Sequence, residues 1–152
     1  MDIAFEEVAS TESMTRALRI RRTVFIEGQD VPESIEVDHF DVVPAPVAGV
    51  AHGILCLEGQ PVATGRLVPD STEDGFAKVG RVAVLSDFRG RGFGKQMMRW
   101  LEAQAAELGY RGVRLSAQLH ALGFYEELGY SPYGDIFLEA SIEHRWMKMT
   151  FA

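Results

Sequence analysis

Cysteine is almost absent: Cys56 is the single one in 152 residues, so no internal disulfide can brace the fold. Long apolar runs are missing too, and nothing approaches the roughly 18 residues a membrane-crossing helix needs. The opening MDIAFEEVAS has neither a basic stretch nor a long apolar one, so residence in the cytoplasm is the expectation. Positive charge is in deficit, with 15 Lys+Arg against 22 Asp+Glu, a net of −7. That balance argues against a general partner for nucleic acid or for an anionic membrane surface. No H-E-x-x-H, C-x-x-C or G-x-S-x-G occurs, so zinc-hydrolase, dithiol-redox and serine-hydrolase chemistry have no support and no metal is expected. Repeats and linker-like stretches are also lacking, which leaves residues 1–152 as a single domain.

What is present is enough apolar material for a core, 47% of residues, under an ordinary charged surface. Residues 2–8 alternate as a strand does, and Ser10 or Thr11 can cap a following helix with Met14, Leu18 and Val24/Phe25 on its apolar side. The stretch from 29 to 46 is acidic, holds three prolines and has no period, so it reads as an irregular excursion with a short helix at most. Runs 52–57 and 61–68 flank Glu58-Gly59-Gln60 as a hairpin. A strand over 78–85 leads through a glycine-rich turn into a helix ending at Leu108, with Phe93, Met97, Trp100/Leu101, Ala105 and Leu108 on one stripe. A strand at 112–117, a helix over about 120–128 and two strands near 135–140 and 144–151 complete the chain. The expected fold is α/β, a mixed central sheet of six to seven strands flanked by helices. A right-handed crossover makes strands 78–85 and 112–117 parallel neighbours.

The sharpest local feature is the run from Val82 to Lys95, VAVLSDFRGRGFGK. Glycines let successive backbone N–H groups turn into one concavity where a helix begins, and such a place suits an anion. Arg89, Arg91 and Lys95 add positive charge. A Walker loop does not fit, because Lys95 is followed by Gln96 and Arg89 stands where the first glycine belongs. A dinucleotide fingerprint fails as well, since Gly90-x-Gly92 would require glycine at position 95. What does fit is Arg89-x-x-Gly92-x-Gly94 after a Val-x-Val strand, and this resembles the acyl-CoA pyrophosphate signature of the GNAT superfamily of N-acetyltransferases. The segment from Gln118 to Tyr130 looks like that superfamily's second signature, with its tyrosine on Tyr125. Arg21-x-x-Val24-Phe25, Gln29, Val31-Pro32, Glu36-x-Asp38-x-x-Asp41, Ser116-Ala117-Gln118 and His144 are similar to its ElaA/YjcF-like branch. Three positions depart from the pattern: Gly28 replaces a usual glutamate, His39 a frequent glycine and Gln118 a frequent asparagine.

The resemblance implies direct acetyl transfer from acetyl-CoA to a primary amine of a small molecule, with no metal. It places the cosubstrate on Val82, Ala83 and Val84, on Arg89, Gly90, Arg91, Gly92, Phe93, Gly94 and Lys95, and on Gln118 and Tyr125. The Val84 amide would steady the developing oxyanion. Tyr125, taken at a phenol's usual pKa near 10, would protonate the departing thiolate, whose pKa lies near 8.5. His144 is the candidate base because imidazole titrates near neutrality, with Glu36 or Asp38 acting through water as its rival. Arg21, Arg81 and Asp38 are candidate acceptor contacts. Plainer readings stand beside these: Tyr125 as a core aromatic, His144 as an ordinary strand residue, Arg81 as a surface arginine and Cys56 as a core filler. A non-catalytic acyl-CoA sensor and a protein acetyltransferase are the competing functions. A homodimer is a further expectation, for which Trp146 or Phe137 exposed on a late strand would serve.

Overall fold

The computed structural model describes residues 2–152. In chain order its elements are β1 (Ile3–Glu7), α1 (Thr11–Arg21), α2 (Glu33–Glu36), β2 (Ala51–Leu57), β3 (Gln60–Pro69), β4 (Phe76–Val84), α3 (Phe93–Glu107), β5 (Gly112–Gln118), α4 (Leu122–Glu127), β6 (Ser131–Glu139) and β7 (Ile142–Thr150). The strands form one seven-stranded sheet ordered β1-β2-β3-β4-β5-β7-β6. Among the described residues only β4 and β5 run parallel, across the α3 crossover. No helix among the described residues is long and apolar enough to cross a membrane.

Local chemistry explains most boundaries. The Ser10 hydroxyl accepts from the Ser13 amide while Ser13 Oγ accepts from the Ser10 amide, a reciprocal cap that starts α1. The helix does not run on regularly to Phe25; it widens into a π-helical turn over Arg22–Glu27 that keeps Val24 buried. Glu58 and Gly59 both take positive φ, the two-residue turn whose twist matches flanking antiparallel strands. The last hairpin uses the same geometry at Ala140 and Ser141, φ 52° and 64°, without glycine. It therefore turns more tightly than the separate strands 135–140 and 144–151 suggest.

On one face α3 buries Phe93, Met97, Met98, Leu101 and Ala105. Leu108, expected on the same stripe, caps the helix and is 50% exposed. The helix sits close because β2 and β3 offer glycine beneath it: a Cβ on Gly53 would stand 2.3 Å from Trp100, and one on Gly65 2.8 Å from Leu101. On the opposite face Ala83 packs with Ile20 and Val24. Phe137 and Trp146 are half-buried and stacked on each other at 5.4 Å, so neither is the exposed aromatic expected; the exposed apolar side chains of β6 are Ile136 and Leu138.

One irregularity in the sheet shapes the site. Thr64 faces Ala83 and Arg66 faces Gly80, so β4 carries one residue more than β3 between those pairs. The extra residue is absorbed at Arg81, at φ 55°, and a bulge of this kind bends its strand. Pairing of β4 with β5 covers only Phe76↔Gly112, Ala77↔Val113 and Lys78↔Arg114. Beyond that the two strands part and leave a wedge open at their C-terminal ends.

Candidate active site

The wedge exposes a strand edge. The Leu85 amide donates to the Val62 carbonyl (3.0 Å), which fixes the alternation: Val82 and Val84 turn their backbone N–H and C=O groups away from β3, toward the gap. Arg89 Nε donates to the Val84 carbonyl (3.0 Å), tying the start of the glycine turn to this edge. The Val82 and Val84 side chains pack toward α3, while Ala83 points to the other face and is buried. Ala83 thus supports the edge from behind.

The turn has the shape an anion requires. Gly90 and Gly92 sit at φ 74° and 84°, conformations that cost a side-chain-bearing residue about 1–2 kcal/mol. Space is not what demands glycine there, since an added Cβ would meet nothing within 4 Å. Among the described residues the amides of Gly92, Phe93, Gly94 and Lys95 donate to no backbone carbonyl, as at any helix start. They border a cavity of about 320 Å³ walled by Val84, Phe88 and Phe124. Lys95 and Arg89 are exposed beside it, and the Arg91 guanidinium lies over Phe88 and Phe93 at 5.7 and 5.3 Å from the ring centres. Phe93 offers its amide only, because its ring is in the core. Free amides, positive charge and open room fit a diphosphate.

Tyr125 stands on α4 between Phe124 and Tyr130, edge-on to both rings. Burial pushes its phenol up to about 12, which corrects the expectation of an ordinary value near 10. Gln118, at the end of β5, donates from Nε2 to Gln29 Oε1 (2.9 Å) and accepts from His120 Nε2 (2.8 Å), so it bridges the mouth of the wedge. His144 lies directly across from Gln118 on β7. It is 6% exposed, its Nδ1 donates to the Ile142 carbonyl (2.7 Å), and Phe137 stacks on its ring.

A buried ionic network supports the other wall. Arg21 donates to Glu36 Oε1 (2.8 Å), to both oxygens of Asp41 (2.6 and 3.0 Å) and to the Glu36 carbonyl (2.6 Å). Arg66 binds Asp38 and Asp41, and Arg81 donates to the carbonyls of Ile35 and Glu36. Arg81 also pairs with Glu36 at 3.2 Å and Asp38 at 3.5 Å, contacts that hold the strained bulge in place. Burial raises the Glu36 carboxyl above its ordinary range despite Arg21 beside it. For Asp38, burial is outweighed by hydrogen bonds and charge from Arg66, which hold its carboxyl well below that range. Among the three acceptor candidates, Arg21 is thus enclosed by carboxylates, whereas Arg81 and Asp38 reach the surface in part. Of the two rings that wall the cavity, Phe124 belongs to the aromatic pair of the Gln118–Tyr130 segment, whereas no spacing or composition singles out Phe88, or Glu139 beside His144. Among the described residues no group of three His, Cys, Asp or Glu is placed to hold a metal.

The chain is similar to known proteins. The sequence profile of the acetyltransferase (GNAT) family matches residues 14–130. Bacillus subtilis YyaT, an uncharacterized protein, is 36% identical over 140 residues, 91% of this chain and 90% of its own. YjcF of the same organism, an uncharacterized N-acetyltransferase, is 33% identical over 138 residues, 90% of this chain and 91% of its own. The crystal structure of Escherichia coli ElaA has the same fold, with a TM-score of 0.81 at 23% identity over 97% of this chain and 99% of that one.

Proposed function

Because the chain belongs to the acetyltransferase (GNAT) family, we propose that it is an acetyl-CoA-dependent N-acetyltransferase acting on a primary amine of a small molecule. The observation that carries this reading is the wedge between β4 and β5, closed at its end by a turn in which, among the described residues, the amides of Gly92, Phe93, Gly94 and Lys95 donate to no backbone carbonyl. Acetyl-CoA would supply the activated acetyl group. The amides of 92–95, with Arg89, Arg91 and Lys95, hold its diphosphate. Val82 and Val84 pair with the amides of its pantetheine arm as an added strand would. The Val84 N–H donates to the reacting carbonyl oxygen as negative charge grows there, and a fixed donor of this kind is worth about 3–4 kcal/mol.

Tyr125 holds the proton that the departing sulfur needs. A phenol at about 12 is protonated throughout the physiological range. Its burial does not spoil the match to sulfur, because a thiol in the same dry surroundings is raised as well. His144 Nε2 takes the proton of the incoming amine, since Nδ1 is already committed to Ile142. The test is consumption of acetyl-CoA over a panel of amines. Turnover that collapses in Tyr125→Phe supports the enzyme; tight binding of CoA with no turnover for any amine marks a sensor and refutes it.

A further inference from the structure

Beyond the groups assigned so far, the wall of β5, β6 and β7 carries a juxtaposition the mechanism has not used. Phe137, Glu139 and His144 share one face of the β6–β7 hairpin, with Ser116 beside them on β5. The His144 ring is fixed by its bond to Ile142, which requires hydrogen on Nδ1 and leaves a lone pair on Nε2 of the neutral imidazole. That nitrogen faces Glu139 Oε2 at 3.6 Å. Two acceptors so placed repel each other unless a donor comes between them. Glu139 has spare capacity, for among the described residues it accepts only long bonds, 3.3 and 3.4 Å, from Ser116 Oγ. Its side chain is 40% exposed, so a ligand can reach it. Across the mouth, the guanidinium groups of Arg21, Arg66 and Arg81 are matched by the carboxylates of Glu36, Asp38 and Asp41.

We propose that Glu139 and His144 form an ammonium subsite, so that this chain selects protonated alkylamines over neutral amines of similar shape. The inference rests on the acetyltransferase reading and deepens it. One N–H of the ammonium donates to the carboxylate and another to Nε2. The second N–H bond then breaks toward Nε2, leaving the electron pair on nitrogen. That pair forms the new C–N bond as the C–S bond breaks, and sulfur takes the Tyr125 proton. Solvent refills Tyr125 and receives the proton from His144 and a second one from the acylated nitrogen, which keeps its third as the amide hydrogen, so each turnover releases one proton net. Ser116 holds Glu139 in place.

Benzylamine and aniline test this, being alike in shape but respectively cationic and neutral near neutral pH. In Glu139→Gln the KM for benzylamine should rise about tenfold or more, the loss expected of a charge-assisted hydrogen bond, while that for aniline stays within about twofold. The KM for acetyl-CoA and the Tm should not move, and Glu139→Asp should recover part of the effect. Equal losses for both amines, or none for either, overturn the subsite. A second readout needs no turnover: benzylammonium added to the free protein should shift the imidazole ¹⁵N resonances of His144. Resonances that stay fixed, or a His144 already imidazolium and paired with Glu139, overturn it as well. Failure to acetylate any amine, with those shifts present, would instead count against the acetyltransferase reading alone.

Discussion

Replacing Arg21 with methionine tests whether that arginine supports the wall of the site or meets the acceptor. Its side chain is 2% exposed, and its partners Glu36 and Asp41 are 5% and 0% exposed. Removing one member of such a group leaves buried negative charge behind, at about 3–5 kcal/mol. Arg66 still reaches Asp41 at 3.0 Å and Arg81 still reaches Glu36 at 3.2 Å, so the lower end applies, about 3 kcal/mol. For a domain of this size that is a fall in Tm of roughly 6–12 °C. The pH dependence has a definite sign. For Asp41 burial is outweighed by Arg21, and the lowered carboxyl contributes stability above its ordinary pKa that is lost as pH falls. For Glu36 burial wins, and the raised carboxyl contributes below its ordinary pKa and loses that contribution as pH rises. Without Arg21 both shift upward, so the deficit is greatest near neutral pH and shrinks toward roughly pH 4, where protonated carboxyls need no cation. Denaturant unfolding of both proteins across that range, with acetyl-CoA affinity measured alongside, is the assay. A deficit below about 1 kcal/mol, the scale of an exposed pair, or one that does not change with pH, refutes the reasoning.

Other outcomes follow from the same geometry. Tyr125→Phe should cut kcat by about 10²–10⁴ while leaving the KM for acetyl-CoA and the Tm near the wild type, read by steady-state kinetics and a melt. Gly92→Val should raise the acetyl-CoA KM strongly and cost about 1–2 kcal/mol, because its φ of 84° opposes any branched side chain though space is open. Unchanged cofactor affinity there would remove the turn from the diphosphate site. Gly53→Val should destabilise by several kcal/mol, since the new Cβ lands 2.3 Å from Trp100; a stable variant would mean that α3 can lift without loss.

What could be read in advance was whatever local chemistry decides. Glu58-Gly59 between two apolar runs leaves little choice but a hairpin, and Met97, Leu101 and Ala105 at helical spacing declare the buried face of α3. The glycine turn was legible because positive φ and a helix start both leave marks in composition. The turn at Ala140-Ser141 was not, since neither residue advertises a left-handed backbone. The bulge at Arg81 was equally hidden, being held by contacts to residues 35, 36 and 38, far off in sequence. The same distance concealed the fate of Arg21, whose partners lie 15 and 20 residues away. Tyr125 was recognisable as a residue, but its raised pKa arises from rings that only folding places around it. Glu139 had no motif at all; a hairpin register set it beside His144.

The most direct trial of the account is a titration of the ¹⁵N-labelled protein with coenzyme A, followed at the backbone amides. Gly92, Phe93, Gly94 and Lys95 should shift strongly and gain protection from exchange, with Val82 and Val84 following. Binding that leaves those amides unmoved, or no binding, would contradict it.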